Sequence, residues 1–163
     1  DAWNNALEAL QSATDNGQIR QFTGNNYAQS LAKGDLKACM AWSGDVIQLQ
    51  FDNPDIKFVV PDAGGMLWSD NMLIPNGAQH KLNAEKWMNY YYDPKVAAEL
   101  AAWVNYICPV EGAKEEMMKI DKSLAANPLI FPSEDDYAKL SIFRALTDTE
   151  ATTFTTQFQS LYT

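Results

Sequence analysis

Histidine, cysteine and positive charge are all scarce in this sequence, and each shortage removes a class of chemistry. The single histidine, His80, lies in a polar Gly-Ala-Gln-His-Lys stretch, where a solvated imidazole is expected rather than a general base. The two cysteines, Cys39 and Cys108, have no metal-ligand spacing. They are either a disulfide or two buried thiols. Twelve basic residues against 21 acidic ones leave a formal net charge of −9, the opposite of a nucleic-acid surface, which needs clustered Lys and Arg. The same imbalance attracts a cationic ligand, although acidity also serves solubility alone. No apolar run approaches the ~18 residues of a membrane span. P-loop, Gly-x-Gly-x-x-Gly, Cys-x-x-Cys and His-Glu-x-x-His patterns are absent, so the common nucleotide, redox and zinc signatures are missing. No basic start followed by an apolar stretch opens the chain, so any export signal is expected to have been removed or to lie upstream.

What is present is an ordinary globular composition, 47% hydrophobic and 20% charged over 163 residues. That length suits one domain with a core, or one continuous part of a larger two-lobed protein. Asp1 to Asp15 reads as an amphipathic helix with Trp3, Leu7 and Leu10 on one face. Gln18 to Phe22 is expected to be a short strand, and Asn25 to Lys33 a short helix stopped by Gly34. Lys37 to Trp42 reads as a strand that meets a tight turn at Ser43-Gly44-Asp45 and then a helix through Val46, Ile47 and Leu49. Ile56 to Pro61 is a second β-branched strand, and Asp62-Ala63-Gly64-Gly65 a corner leading into a strand across residues 66 to 74.

Asn83 is expected to cap a long helix that Asp93-Pro94 interrupts, with a second helix from Pro94 to Val104. Glu111 to Ala126 reads as one helix, and Thr147 to Tyr162 as a terminal one. The acidic run Ser133-Glu134-Asp135-Asp136 lacks the alternating oxygen ligands and central glycine of a calcium loop, and reads as a solvated loop or helix start.

The candidate site is built of aromatic rings and carboxylates. On a strand across 66 to 74, Trp68 and Asp70 share one face, since side chains two apart point the same way. Trp42 stands at the carboxyl end of the preceding strand, where Ser43 and free backbone N–H groups begin a helix, a usual place for ligand groups. Tyr106 follows a helix in the loop Asn105-Tyr106-Ile107-Cys108-Pro109. Core burial for Trp42 and a packing role for Tyr106 are the competing readings. Aromatic faces accept ammonium groups and methylene chains while a carboxylate anchors charge, so the set points to a binder of organic cations.

Taken in order, Ala41-Trp42-Ser43-Gly44-Asp45, Gly65-Met66-Leu67-Trp68-Ser69-Asp70, Leu73-Ile74-Pro75 and Asn105-Tyr106 before Pro109 resemble the spermidine/putrescine-binding proteins of bacterial ABC transporters. The resemblance runs from about Asp1 to Phe131. It implies an α/β, two-lobed periplasmic-binding-protein-like fold of which this chain is the C-terminal portion. Residues 1–74 would lie in the C-terminal lobe with a hinge strand at about 68–74, residues 75–113 in the N-terminal lobe, and residues 114–163 back in the C-terminal lobe.

It further implies that Trp42, Trp68 and Tyr106 stack on a polyamine chain, that Asp70 pairs with an amine, and that Asp45 offers a second carboxylate, a role that competes with helix capping. No enzyme activity, cofactor or metal is expected. The partners would be a small-molecule polyamine, the membrane permease of an ABC transporter and an N-terminal lobe outside this sequence. The setting would be the periplasm or the cell surface, the latter with a lipid anchor through upstream sequence. Where the family places a glutamine near its C-terminus, this chain has Ile142, Phe143 and Arg144. Two rival readings stand beside this one: a binder of an anionic or neutral solute read by Arg144, Ser43 and the helix start after Trp42, and a hydrolase using Asp45 and Asp70.

Overall fold

The computed structural model describes residues 2–162, which form two compact units, one drawn from both chain ends (Asp1–Tyr27 with Arg144–Thr163) and one from the middle (Ala28–Phe143). In chain order the helices and strands are α1 (Ala2–Asp15), α2 (Tyr27–Ala32), α3 (Ser43–Asp52), β1 (Gly65–Leu67), α4 (Lys81–Tyr91), α5 (Pro94–Val104), α6 (Ala113–Ile120), α7 (Lys122–Ala125), α8 (Glu134–Tyr137), β2 (Leu140–Ile142) and α9 (Asp148–Gln159), followed by a 3-10 turn over Ser160–Tyr162. None of the described helices is long and apolar enough to cross a membrane.

The core of the middle unit is made where α5 meets α6 and α7. Small residues Ala97, Ala98 and Ala101 on one face of α5 let these helices approach closely, and Met117, Leu124, Ala125 and Ile130 fill the space beyond. Ile47 of α3 enters the same cluster. That contact is what positions the site, because it fixes the helix whose first turn carries Ser43, Gly44 and Asp45. Asp93 starts α5 by accepting from the backbone N–H groups of Lys95 and Val96, with Pro94 at the first helical position. Asn105 ends it in the left-handed conformation, φ 61°.

The expected single helix from 111 to 126 is two helices. Asp121 adopts an extended backbone and caps α7, its carboxylate accepting from the Ser123 and Leu124 N–H groups. A local capping carboxylate thus outcompeted continued helical periodicity. His80, not Asn83, occupies the N-cap position of α4. The acidic run at 133–136 begins α8 as a capping box, Ser133 and Asp136 exchanging side-chain and backbone hydrogen bonds.

Strands are where the sequence reading erred most. Of the expected strands, only Gly65–Leu67 enters a ladder, and its partner is β2, which periodicity had not marked. The pair is parallel, with Gly65 opposite Leu140, Met66 opposite Ser141 and Leu67 opposite Ile142. Gly64 makes the entry possible: at φ 93°, a Cβ there would lie 2.7 Å from the Lys139 carbonyl oxygen, a conformation and a gap that suit glycine. Residues 18–22, 37–42, 56–61 and 68–74 are not in strands. A β pattern reports a preference for extended backbone, but a strand also needs a neighbour to take its hydrogen bonds.

The unit made from the chain ends packs aromatic rings. Trp3 of α1 lies 4.4 Å from Phe154 of α9, centroid to centroid, and its indole N–H donates to Gln157 at 2.7 Å. Phe22 contacts both Phe158 and Tyr162, at 5.5 and 4.9 Å. Thr147 caps α9 in a capping box with Glu150, to which Arg144 also donates twice.

Candidate functional site

Three rings from three separate parts of the middle unit meet edge to face. Trp42 and Trp68 have centroids 5.5 Å apart at 76°, and Trp68 and Tyr106 are likewise 5.5 Å apart at 68°. Such tilted contacts match the positive edge of one ring to the negative face of the next. The two indoles keep 43% and 38% of their surface in contact with solvent. That removes the core-indole reading of Trp42: these rings form a wall with one side open.

Each ring is held by the segment behind it. Trp42 is the N-cap residue of α3, extended at φ −79°, ψ 137°, so the turn of chain from coil into helix throws its ring outward. Tyr106 emerges directly after Asn105, whose side chain is 1% exposed and donates through Nδ2 to the Ala102 carbonyl at 3.1 Å. The backbone N–H of Asn105 closes on Ala101, and that of Cys108 on Ile130, pinning the loop on either side of the ring. Trp68 immediately follows β1, so the short ladder to β2 fixes where its residue begins.

Asp45, third in α3, ties the wall to the helix. The Tyr106 hydroxyl donates to its carboxylate at 3.0 Å. Burial of the phenol, and then the hydrogen bond and negative charge of Asp45, push the Tyr106 pKa up to about 12, because the phenolate would lose the bond and face a like charge. The carboxylate also sits in the first turn of α3, where the helix dipole favours an anion. Tyr106 is therefore a neutral donor across the physiological range, and Asp45 a carboxylate held at the foot of the wall.

The other expected site residues are placed less closely. Ser43 is the first residue of α3 and half-buried. Asp70 is exposed, two residues past Trp68 in a segment outside the ladder, and enters none of the ion pairs among the described residues. The shared strand face expected for Trp68 and Asp70 is not formed, since β1 stops at Leu67. Cys39 and Cys108 are both free thiols, half-buried, with burial raising each thiol pKa. Arg144, the cation of the anion-binding reading, gives its guanidinium to Glu150 at 2.8 and 3.2 Å.

Two contributors escaped the sequence reading. Asn105 stands in the sequence as the first residue of the Tyr106 loop, with no role of its own, although asparagine just past a helix is a recognised left-handed stop. Gly44 was read as part of a turn, whereas it is buried within the first turn of α3 beneath the Tyr106 ring. No local signal announces that, because the ring comes from 62 positions later in the sequence.

The middle unit thus carries one open aromatic wall with a carboxylate at its foot. Residues 1–132 match the family described as bacterial extracellular solute-binding protein, and the chain belongs to that family. Among its relatives is the putrescine-binding periplasmic protein PotF of Escherichia coli, 30% identical over 128 residues, which are 75% of this chain and 34% of the relative. The spermidine/putrescine-binding periplasmic protein of Salmonella typhimurium is 30% identical over 122 residues, 73% of this chain and 34% of the relative. A solved structure titled as a putative spermidine/putrescine ABC transporter from Listeria monocytogenes superposes with a TM-score of 0.82 at 25% identity, covering 97% of this chain and 47% of that one. The fold is accordingly that of a periplasmic binding protein in part. The chain spans about a third of the length of these curated relatives and about half of the structural neighbour.

Proposed function

We propose that these residues supply one wall of the ligand cleft of an extracytoplasmic solute-binding protein that captures a polyamine of the putrescine or spermidine kind and delivers it to the permease of an ABC importer. The observation that carries the reading is the Trp42–Trp68–Tyr106 wall with Asp45 fixed at its foot. Indole and phenol faces attract an ammonium group by about 0.5–2 kcal/mol each, depending on how far it is desolvated. They also accept the methylene chain between two amines, which a purely charged site would not.

Asp45 and Asp70 supply the anionic partners, and the net charge of −9 favours approach of a cation from a distance. The names of the relatives agree with that ligand class. The role is binding rather than catalysis. In this reading residues 68–74 form the crossing between lobes. Closure of the opposite lobe would exclude water and strengthen the carboxylate–ammonium pairing.

Isothermal calorimetry on the protein at its natural length, with putrescine and with spermidine, tests the reading directly. Binding of either is expected; failure of both sinks the ligand assignment. Asp70→Ala is expected to weaken binding by about tenfold or more, equivalent to about 1.4 kcal/mol, with unchanged thermal unfolding because Asp70 is exposed and enters no ion pair among the described residues.

A further inference from the structure

Gly44 is a glycine in the first turn of a ten-residue helix, a position that would ordinarily favour another residue. Its backbone does not explain it, since it is helical and not left-handed, unlike Gly17, Gly34, Gly64, Gly77 and Gly112. Space explains it. A Cβ at Gly44 would stand 2.5 Å from Cε2, 2.6 Å from Cδ2 and 2.7 Å from Cζ of Tyr106, well inside the contact distance of two carbon atoms.

The ring has little freedom to yield. Its hydroxyl is bonded to Asp45 at 3.0 Å, its edge meets Trp68 at a centroid distance of 5.5 Å, and its backbone follows the buried, left-handed Asn105. Of these, the first two are interactions that a displaced ring gives up.

We infer that Gly44 is a positioning residue of the aromatic wall: the missing side chain at this position is the seat in which the Tyr106 ring lies, and any larger residue there opens the wall. The seat couples three things that sequence distance separates. It sets the ring against Trp68, it brings the hydroxyl to Asp45, and it places that carboxylate one residue from the contact. The consequence for ligand affinity rests on the polyamine-binding reading above; the packing consequence stands without it.

The test uses Gly44→Ala, Tyr106→Ala and the double variant in the protein at its natural length. With Tyr106 present, Gly44→Ala is expected to lower the midpoint of thermal unfolding. With Tyr106→Ala in the background, the same change is expected to raise it or leave it unmoved, because alanine is the better helix former once the ring is gone. Equal destabilisation in both backgrounds overturns the inference. If Gly44→Ala alone does not fold, recovery of folding in the double variant supports the seat and absence of recovery overturns it.

Absorbance titration of tyrosinate, read only over the pH range in which circular dichroism shows each protein still folded, separates a displaced ring from general destabilisation. The Tyr106 hydroxyl, whose pKa burial and Asp45 push up to about 12, is identified by its absence in Tyr106→Phe; it is expected to move toward the ordinary tyrosine value in folded Gly44→Ala, and an unmoved titration refutes the seat. Calorimetry with putrescine is expected to show affinity lowered about tenfold or more in Gly44→Ala; unchanged affinity overturns the positioning role. A parent protein that binds neither putrescine nor spermidine defeats the polyamine reading instead, and the unfolding and titration arms then decide the seat by themselves.

Discussion

Replacing Tyr106 by phenylalanine removes one oxygen and leaves the aromatic wall otherwise intact, so it isolates the bond to Asp45. In the folded protein burial and the Asp45 carboxylate raise the Tyr106 pKa from 10.0 to about 12. A rise of that size corresponds to about 2.7 kcal/mol between the protonation states. The ring is partly open to solvent, and screening reduces the usable figure to about 1 kcal/mol. The sign follows from the direction. With the folded pKa above the unfolded one, the stabilisation is complete below pH 10 and is lost as pH climbs from 10 toward 12.

Urea unfolding of parent and Tyr106→Phe from neutral pH to pH 12 measures this. At neutral pH the variant is expected to be less stable by about 1 kcal/mol, the worth of one hydrogen bond to a carboxylate at a half-exposed site. Above pH 10 the gap is expected to narrow, because only the parent has this proton to lose. Seven tyrosines are present, and burial also raises the pKa of Tyr91, so the difference between the two proteins is the quantity to follow. Parallel loss of stability across the whole range would refute the coupling of Tyr106 to Asp45.

The remaining expectations concern the parts that hold the wall. Asn105→Gly should be tolerated and Asn105→Ala should cost about 1–2 kcal/mol more in urea unfolding, since alanine strains at φ 61° while glycine does not. Met117→Ala, at a fully buried position where α6 meets α5, should lower stability by about 2–5 kcal/mol through lost burial and a residual cavity. Glu150 has a pKa lowered to about 2 by the Arg144 and Thr147 hydrogen bonds. Its contribution is therefore full above about pH 4.5 and lost as pH falls toward 2, so acid unfolding followed by circular dichroism should begin at higher pH in Arg144→Gln than in the parent.

The sequence by itself determined the local elements whose cause is local. Pro94 after Asp93 set the start of α5, Gly34 stopped α2's segment, Thr147 opened the terminal helix α9, and the order of Trp42, Asp45, Trp68, Asp70 and Tyr106 already indicated the family. These signals travel within a few residues, through caps, fixed torsions and periodic apolar faces. Tertiary structure decided everything that needed a distant partner. It chose Leu140–Ile142 as the neighbour of Gly65–Leu67 and left the other extended runs out of any ladder.

It also turned three aromatic residues into one wall and left Asp70 exposed beside it in sequence but not bonded to it, while Asp45, the lesser candidate in the sequence, received the Tyr106 hydroxyl. The reason is that hydrogen bonds and close packing are satisfied between residues dozens of positions apart. A glycine such as Gly44 looks like a turn in the sequence and acquires its meaning only when a ring from elsewhere in the chain comes to rest where its side chain would have been.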